Sequence, residues 1–263
     1  MPGSCVGIFA AVQQTVAQKY SCADDASLDD ATGDTAAVGS EVFTWKGTRG
    51  HPLSDASATY TGVGPTLKSA ENKRSLSFPG IQPCSMSSLG FHNNTDKIVT
   101  VVAQRSSTNY DRQKYILTSG FDDLSWRNGD WAFTSNGVQR IDLLWFTGVG
   151  ASEFKRHTLT WTLPTTPFVI QFQFYATGFE IRSKILTATT QNVWTESDTA
   201  HVAYTNPTLP TGMRRLTIGG KLNPNQYQYD WPGDIFEVHV MNSKQATAAL
   251  DLRTSLAQKY CPV

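Results

Sequence analysis

Charge imbalance, long apolar runs and paired cysteines are all scarce in this chain, and each scarcity removes a class of protein. The 263 residues carry 22 basic and 22 acidic side chains, a formal net charge of zero. No basic stripe runs along them, so nucleic acid is not expected as the main partner. No apolar run approaches the roughly 20 residues of a membrane-spanning helix. The stretch Val6–Val12 is short and lacks flanking basic residues, so no secretory signal peptide is expected. Cysteine is confined to Cys5, Cys22, Cys84 and Cys261, with no CxxC pair, and the five histidines are dispersed. A zinc site is therefore not expected. Cys22 with Cys261, Cys5 with Cys22, and four reduced thiols all stand as readings, because spacing does not set connectivity. Catalytic signatures are missing too. "GVGPTLKS" ends in Lys68-Ser69 but has Leu67 where a phosphate-binding loop needs glycine, and neither GxSxG nor HExxH occurs.

What the chain has is aromatic residues and strand signals. "KIVTVVAQ" (97–104) is rich in β-branched residues, as a buried strand is. "HTLTWTL" alternates Leu159, Trp161 and Leu163 with threonines. In "PFVIQFQFYATGFEI", Phe168, Ile170, Phe172 and Phe174 share one face, and Ala176-Thr177-Gly178 turns the chain into a hairpin. "RRLTIGG" adds a short strand with a glycine stop. In Asp234–Val240, strict alternation sets Phe236, Val238 and Val240 on one face and Ile235, Glu237 and His239 on the other. The fold class predicted is all-β, a two-sheet antiparallel jelly-roll sandwich.

Two helices are expected to flank it. Near the C-terminus Asn242-Ser243 offers a polar stop and N-cap, and Leu252, Leu256 and Tyr260 recur at helical spacing. Near the N-terminus Ile8, Val12 and Val16 are likewise four apart, and both stretches end in Ala-Gln-Lys-Tyr (17–20 and 257–260). The expected organisation is an N-terminal helical segment over 1–20, an acidic linker over 21–41 with almost nothing large to bury, and a sandwich domain with its closing helix over 42–263.

The order "GPTLKSAENKRSLSFPG", "MSS", "KIVTVVAQ", a long hairpin, "LTIGG", an aromatic loop, "GDIFEVHVMN" and a helix ending in "KY" resembles the concanavalin A-like lectin/glucanase superfamily. It is most similar to the laminin-G-like branch, over about residues 42–260. The resemblance implies a jelly roll with the closing helix packed beside it. Such domains occur in tandem, so the first helix looks like the end of an upstream copy; pairing of the two helices within one domain is the alternative. Glucanases of the superfamily carry Glu-x-Asp-x-x-Glu on a strand, but the near match here, "ESDTAH", pairs Glu196 and Asp198 with His201 and reads as a solvated loop. No catalytic residue is therefore assigned.

Two loops carry the chemistry of sugar recognition, in which pyranose CH groups lie on aromatic rings while hydroxyls bond amides and carboxylates. "FDDLSWRNGDWAF" offers Trp126, Asn128, Asp130 and Trp131, and "KLNPNQYQYDWPGD" offers Asn223, Asn225 and Tyr227. Asp122 and Asp123 are the candidate metal ligands; no cofactor is expected, and calcium is the one ion such oxygens suit. Asn93-Asn94-Thr95 is a glycosylation sequon. The expectation is a non-catalytic recognition or structural module at a virion or extracellular surface, a lectin-like adhesin or a minor capsid component. Its expected partners are protein neighbours in an assembly and glycans. A glycan-cleaving enzyme of the glucanase type is the alternative.

Overall fold

The computed structural model describes residues 16–47, 53–55, 64–79, 86–91, 97–106, 113–120, 130–137, 140–146, 154–160, 163–175, 178–183, 197–203, 214–220, 230–241 and 246–260. Their strands form two antiparallel sheets. The first holds β1 (Val16–Ser21), β5 (Thr66–Ala70), β6 (Lys73–Phe78), β8 (Lys97–Arg105), β13 (Phe168–Tyr175), β14 (Gly178–Ser183), β15 (Ser197–Ala203) and β17 (Gly233–Met241). Its order is β15-β14-β13-β8-β17-β6-β5, with β1 paired to β17. The second holds β2 (Leu28–Asp29), β3 (Thr44–Trp45), β4 (Leu53–Asp55), β7 (Met86–Phe91), β9 (Gln113–Gly120), β10 (Trp131–Asn136), β11 (Arg140–Phe146), β12 (Phe154–Thr160) and β16 (Arg214–Ile218). It runs β12-β11-β10-β9-β16-β7-β4-β3-β2. One α-helix, α1 (Ala246–Tyr260), occurs among the described residues.

The core lies between the sheets. Phe168, Ile170 and Phe172 of β13 are buried there, as alternation predicts; the side chain of Phe174 lies outside the described residues. Phe172 meets Trp131 edge-on at 5.3 Å and Phe133 at 5.5 Å, joining the first sheet to the second. The predicted hairpin is present, with Tyr175 opposite Gly178. The first glycine of "LTIGG" is fixed by space and by backbone. Gly219 has φ +81, and a Cβ there would stand 2.2 Å from the Phe78 ring.

On β17 strict alternation fails at one point. Ile235 pairs with Ala103 and Glu237 with Val102, so Phe236 is an extra residue in the ladder, a β-bulge. Beyond it the faces exchange. Ile235, Val238 and Val240 turn into the inter-sheet core, whereas Phe236 and Met241 join Ile98, Val102 and Val169 beneath the helix. There Leu252, Leu256 and Tyr260 of α1 cover them, as the helical spacing predicts. Gln171 Nε2 donates to Thr100 Oγ1 at 2.9 Å and to the Ala249 carbonyl at 3.0 Å, tying the helix to the sheet with buried polar bonds.

The N-terminal expectation needs correction. Residues 16–21 form strand β1 rather than a helix, and pair with β17 from Val16↔Met241 to Ser21↔Glu237; residues 1–15 lie outside the described residues. The acidic stretch 21–41 does not behave as a linker. Cys22, Leu28 and Ala36 are buried in the same core as Trp45 and Val240, and Leu28 pairs with Trp45. Small size and many aspartates hid a short, well-packed edge of the sandwich. The "ESDTAH" stretch also differs from the loop expected. Residues 197–203 are the outermost strand of the first sheet, with His201 opposite Glu180, and Glu196 lies outside the described residues.

Candidate functional site

The face of the second sheet that points away from the core carries a polar row across four adjacent strands. The ladder sets Tyr115 of β9 beside Thr134 of β10, Thr134 beside Asp142 of β11, and Asp142 beside Thr158 of β12. Antiparallel pairing turns four residues distant in sequence into direct neighbours on one surface. A bulge between Phe133 and Thr134 in the β9–β10 ladder brings Tyr115 into this row.

Asp142 is its centre and is fully buried. Thr158 Oγ1 donates to Asp142 Oδ1 at 2.7 Å. On the other oxygen, Arg140 Nη2 lies 3.1 Å and Arg156 Nε 3.9 Å from Oδ2. A buried carboxylate needs such donors, because burial alone favours its neutral form. The two arginines keep 35% and 41% of their side chains in solvent, so the pair bridges a buried anion and open surface. Thr134 Oγ1 accepts from Gln113 Nε2 at 3.0 Å and donates to the Asp142 carbonyl at 3.4 Å. Beside this row Tyr115, Ala132, Leu144 and Phe146 form a second apolar cluster, buried and separate from the main core. Two guanidinium groups thus converge on one carboxylate. Guanidinium forks suit carboxylates and sulfates.

Of the site residues predicted from sequence, the structure describes two. Asp130 and Trp131 are in the structure but buried; Trp131 is 1% exposed and packs on Phe172, so its ring fills the core and is not offered to a sugar. Trp231, from the second aromatic loop, is also a core residue. Trp126, Asn128, Asn223, Asn225 and Tyr227, and the candidate metal ligands Asp122 and Asp123, lie outside the described residues. So do Cys5, Cys84, Cys261 and the sequon, whereas Cys22 is a buried free thiol. Its Sγ donates to the Ile235 carbonyl at 3.6 Å, and burial pushes the thiol well above its ordinary pKa. No helix among the described residues is long and apolar enough to cross a membrane.

The Asp142 cluster was not singled out by sequence reasoning. Its signal is present in "RIDLLWF" and "FKRHTLT", where Arg140 and Asp142, and Arg156 and Thr158, stand two apart, as residues on one face of a strand do. Only the register shows that the two pairs meet.

The fold is a two-sheet antiparallel β-sandwich, and comparison with solved structures finds likenesses of fold. The sialidase of Trypanosoma rangeli, in complex with 2,3-difluorosialic acid, superposes with a TM-score of 0.54 at 11% identity, over 94% of this chain and 33% of that one. This chain thus spans about a third of the sialidase's length. The carbohydrate-binding module CBM40 of the Ruminococcus gnavus IT-sialidase, bound to α2,3-sialyllactose, gives 0.43 at 9% identity, over 61% of this chain and 83% of the module. Domains LG4-5 of the mouse laminin α1 chain give 0.42 at 11% identity, over 64% and 41%. At such identities the sialidase likeness is one of fold alone. No protein-family model matches the chain, and no curated protein matches it by sequence.

Proposed function

We propose that this chain is a non-catalytic carbohydrate-recognition module of an outer surface, and that it takes acidic glycans at Arg140 and Arg156, the solvent-reaching side chains of this row. The observation that carries the reading is the convergence of Arg140 and Arg156 on buried Asp142 beside an apolar cluster. In this scheme the guanidinium groups take the carboxylate or sulfate of the ligand. Asp142 holds them in place, and the half-buried Gln113 and Thr158 exchange hydrogen bonds with hydroxyls. The wider setting, an adhesin or a component of a virion, is the same reading carried to a larger assembly.

A glycan array presenting sialylated, uronic-acid, sulfated and neutral sugars tests it. Retention of acidic glycans by the native protein, with at least a tenfold loss in the Arg140→Gln/Arg156→Gln variant, is the expected outcome. Equal binding by both proteins, or retention of neutral glycans alone, contradicts the proposal.

A further inference from the structure

A second recess lies on the first sheet, where the end of α1 meets the β5–β6 hairpin. It encloses about 320 Å³ and is lined by Ala23, Lys73, Arg74, Lys259 and Tyr260, with the hairpin turn at its mouth. Two elements distant in sequence, β6 and α1, thus bring three cationic residues, Lys73, Arg74 and Lys259, to one cavity. All three also take part in the fold's own interactions. Lys259 Nζ donates to Glu237 Oε1, and Lys73 Nζ donates to the Tyr260 carbonyl at 3.2 Å, satisfying a carbonyl at the helix end. An ammonium carries three donors, so each lysine has more to give. A guanidinium adds a planar fork matched to oxyanions.

The turn supplies a second observation. Ala70 pairs with Lys73, so Glu71 and Asn72 alone make the connection. Both lie in the left-handed region, with φ of 50 and 61, the only non-glycine residues to do so among those described. Two-residue hairpin turns of this kind favour Asn and Gly, and a glutamate there is held at a conformational cost. Glu71, exposed at this turn, is also one of the residues lining the recess. A recess with a cationic floor and one carboxylate acceptor at its mouth matches a ligand that is both anionic and hydroxylated. Its volume is at the lower end of the range for small-molecule sites, enough for one sugar residue.

We propose that this recess binds a single oxyanion group, sulfate or phosphate, free or carried on one sugar residue. Arg74 and Lys73 take the anion, and Glu71 accepts from a ligand hydroxyl. The site is independent of Arg140 and Arg156, which lie on the other sheet.

The test is a thermal melt of the full chain with sodium sulfate, with sodium phosphate, or with N-acetylglucosamine 6-sulfate, against sodium chloride at matched ionic strength. Near-saturating oxyanion is expected to raise the midpoint by about 2–4 °C over chloride. Arg74→Gln, which leaves the helix-capping Lys73 in place, is expected to abolish that rise. Arg140→Gln/Arg156→Gln is expected to keep it, which separates this site from the glycan face. A larger effect of the sulfated sugar than of free sulfate, lost in Glu71→Asn, assigns the carried form; equal effects assign the free ion. If Arg74→Gln does not fold, amide shifts of residues 71–74 in the native protein on sulfate addition serve instead. No rise over chloride, an unchanged rise in Arg74→Gln, or no shift of those amides overturns the proposal.

Discussion

Glu237 shows how much one residue can hold. It is 1% exposed, yet it meets three partners. Lys259 Nζ and Tyr260 Oη donate to Oε1, and His239 Nε2 lies 2.7 Å from Oε2. Burial alone pushes the carboxyl up, but the bond and charge of His239, with those of Lys259, reverse this and hold it far below its ordinary value near 4.5. A depressed folded-state pKa means stability that is fully present above the ordinary value and is lost as pH falls below it. Native protein is therefore expected to lose stability on acidification below about pH 4.5, and Glu237→Gln to lose this part of the slope. At neutral pH that variant should already be weaker by about 1–3 kcal/mol. Urea titrations at pH 7 and pH 4 check both; parallel pH profiles in the two proteins contradict the assignment. Phe172 is the corresponding apolar case. It is fully buried between the sheets against Trp131 and Phe133, so Phe172→Ala should cost about 3–5 kcal/mol. A loss under about 1 kcal/mol in the same titration would put that side chain outside the core.

At the scale of elements, one tetrapeptide takes two structures. Ala17-Gln18-Lys19-Tyr20 is strand and Ala257-Gln258-Lys259-Tyr260 is helix. The four residues have no decisive preference, and tertiary partners choose. β1 finds the open edge of β17, where Tyr20 sits opposite Val238 and packs edge-on against Trp45 at 5.8 Å. The last turn of α1 instead lays Tyr260 on Phe236, 5.2 Å between ring centres. Deleting residues 1–20 is therefore expected to destabilise the sandwich itself, lowering the melting midpoint by about 10 °C, because Tyr20 and the β1 ladder leave the core. An unchanged midpoint with weakened self-association would restore the idea of a leftover helix from an upstream copy. The same comparison shows what was legible. Strands with uniform alternation, such as 168–172, and the stripe of α1 were readable, because side-chain period reports burial directly. Phe236 was assigned to the wrong face because a bulge inserts a residue without altering composition. The Leu28 edge was missed because two residues make no period. Trp131 was taken for a sugar platform because an aromatic beside Asp and Asn looks the same whether it faces a core or a ligand.

For the whole molecule, the two sheets divide the labour. The first is covered on its outer side by α1, through Leu252, Leu256 and Tyr260, and this docking closes the apolar surface of β8, β13 and β17. The second carries buried Asp142 and the buried Tyr115 cluster on its outer side and holds Arg140 and Arg156 out toward solvent. A rigid sheet is a precise support for recognition, since each side chain is positioned by ladder bonds on both flanks. The most direct test of this account is a titration of isotope-labelled protein with the acidic sugars that the array retains, followed through backbone amide shifts. The account predicts shifts centred on 113–118, 132–136, 140–146 and 154–158, saturable in native protein and lost in Arg156→Gln. Shifts confined to other strands, or a titration that Arg156→Gln leaves unchanged, would contradict it.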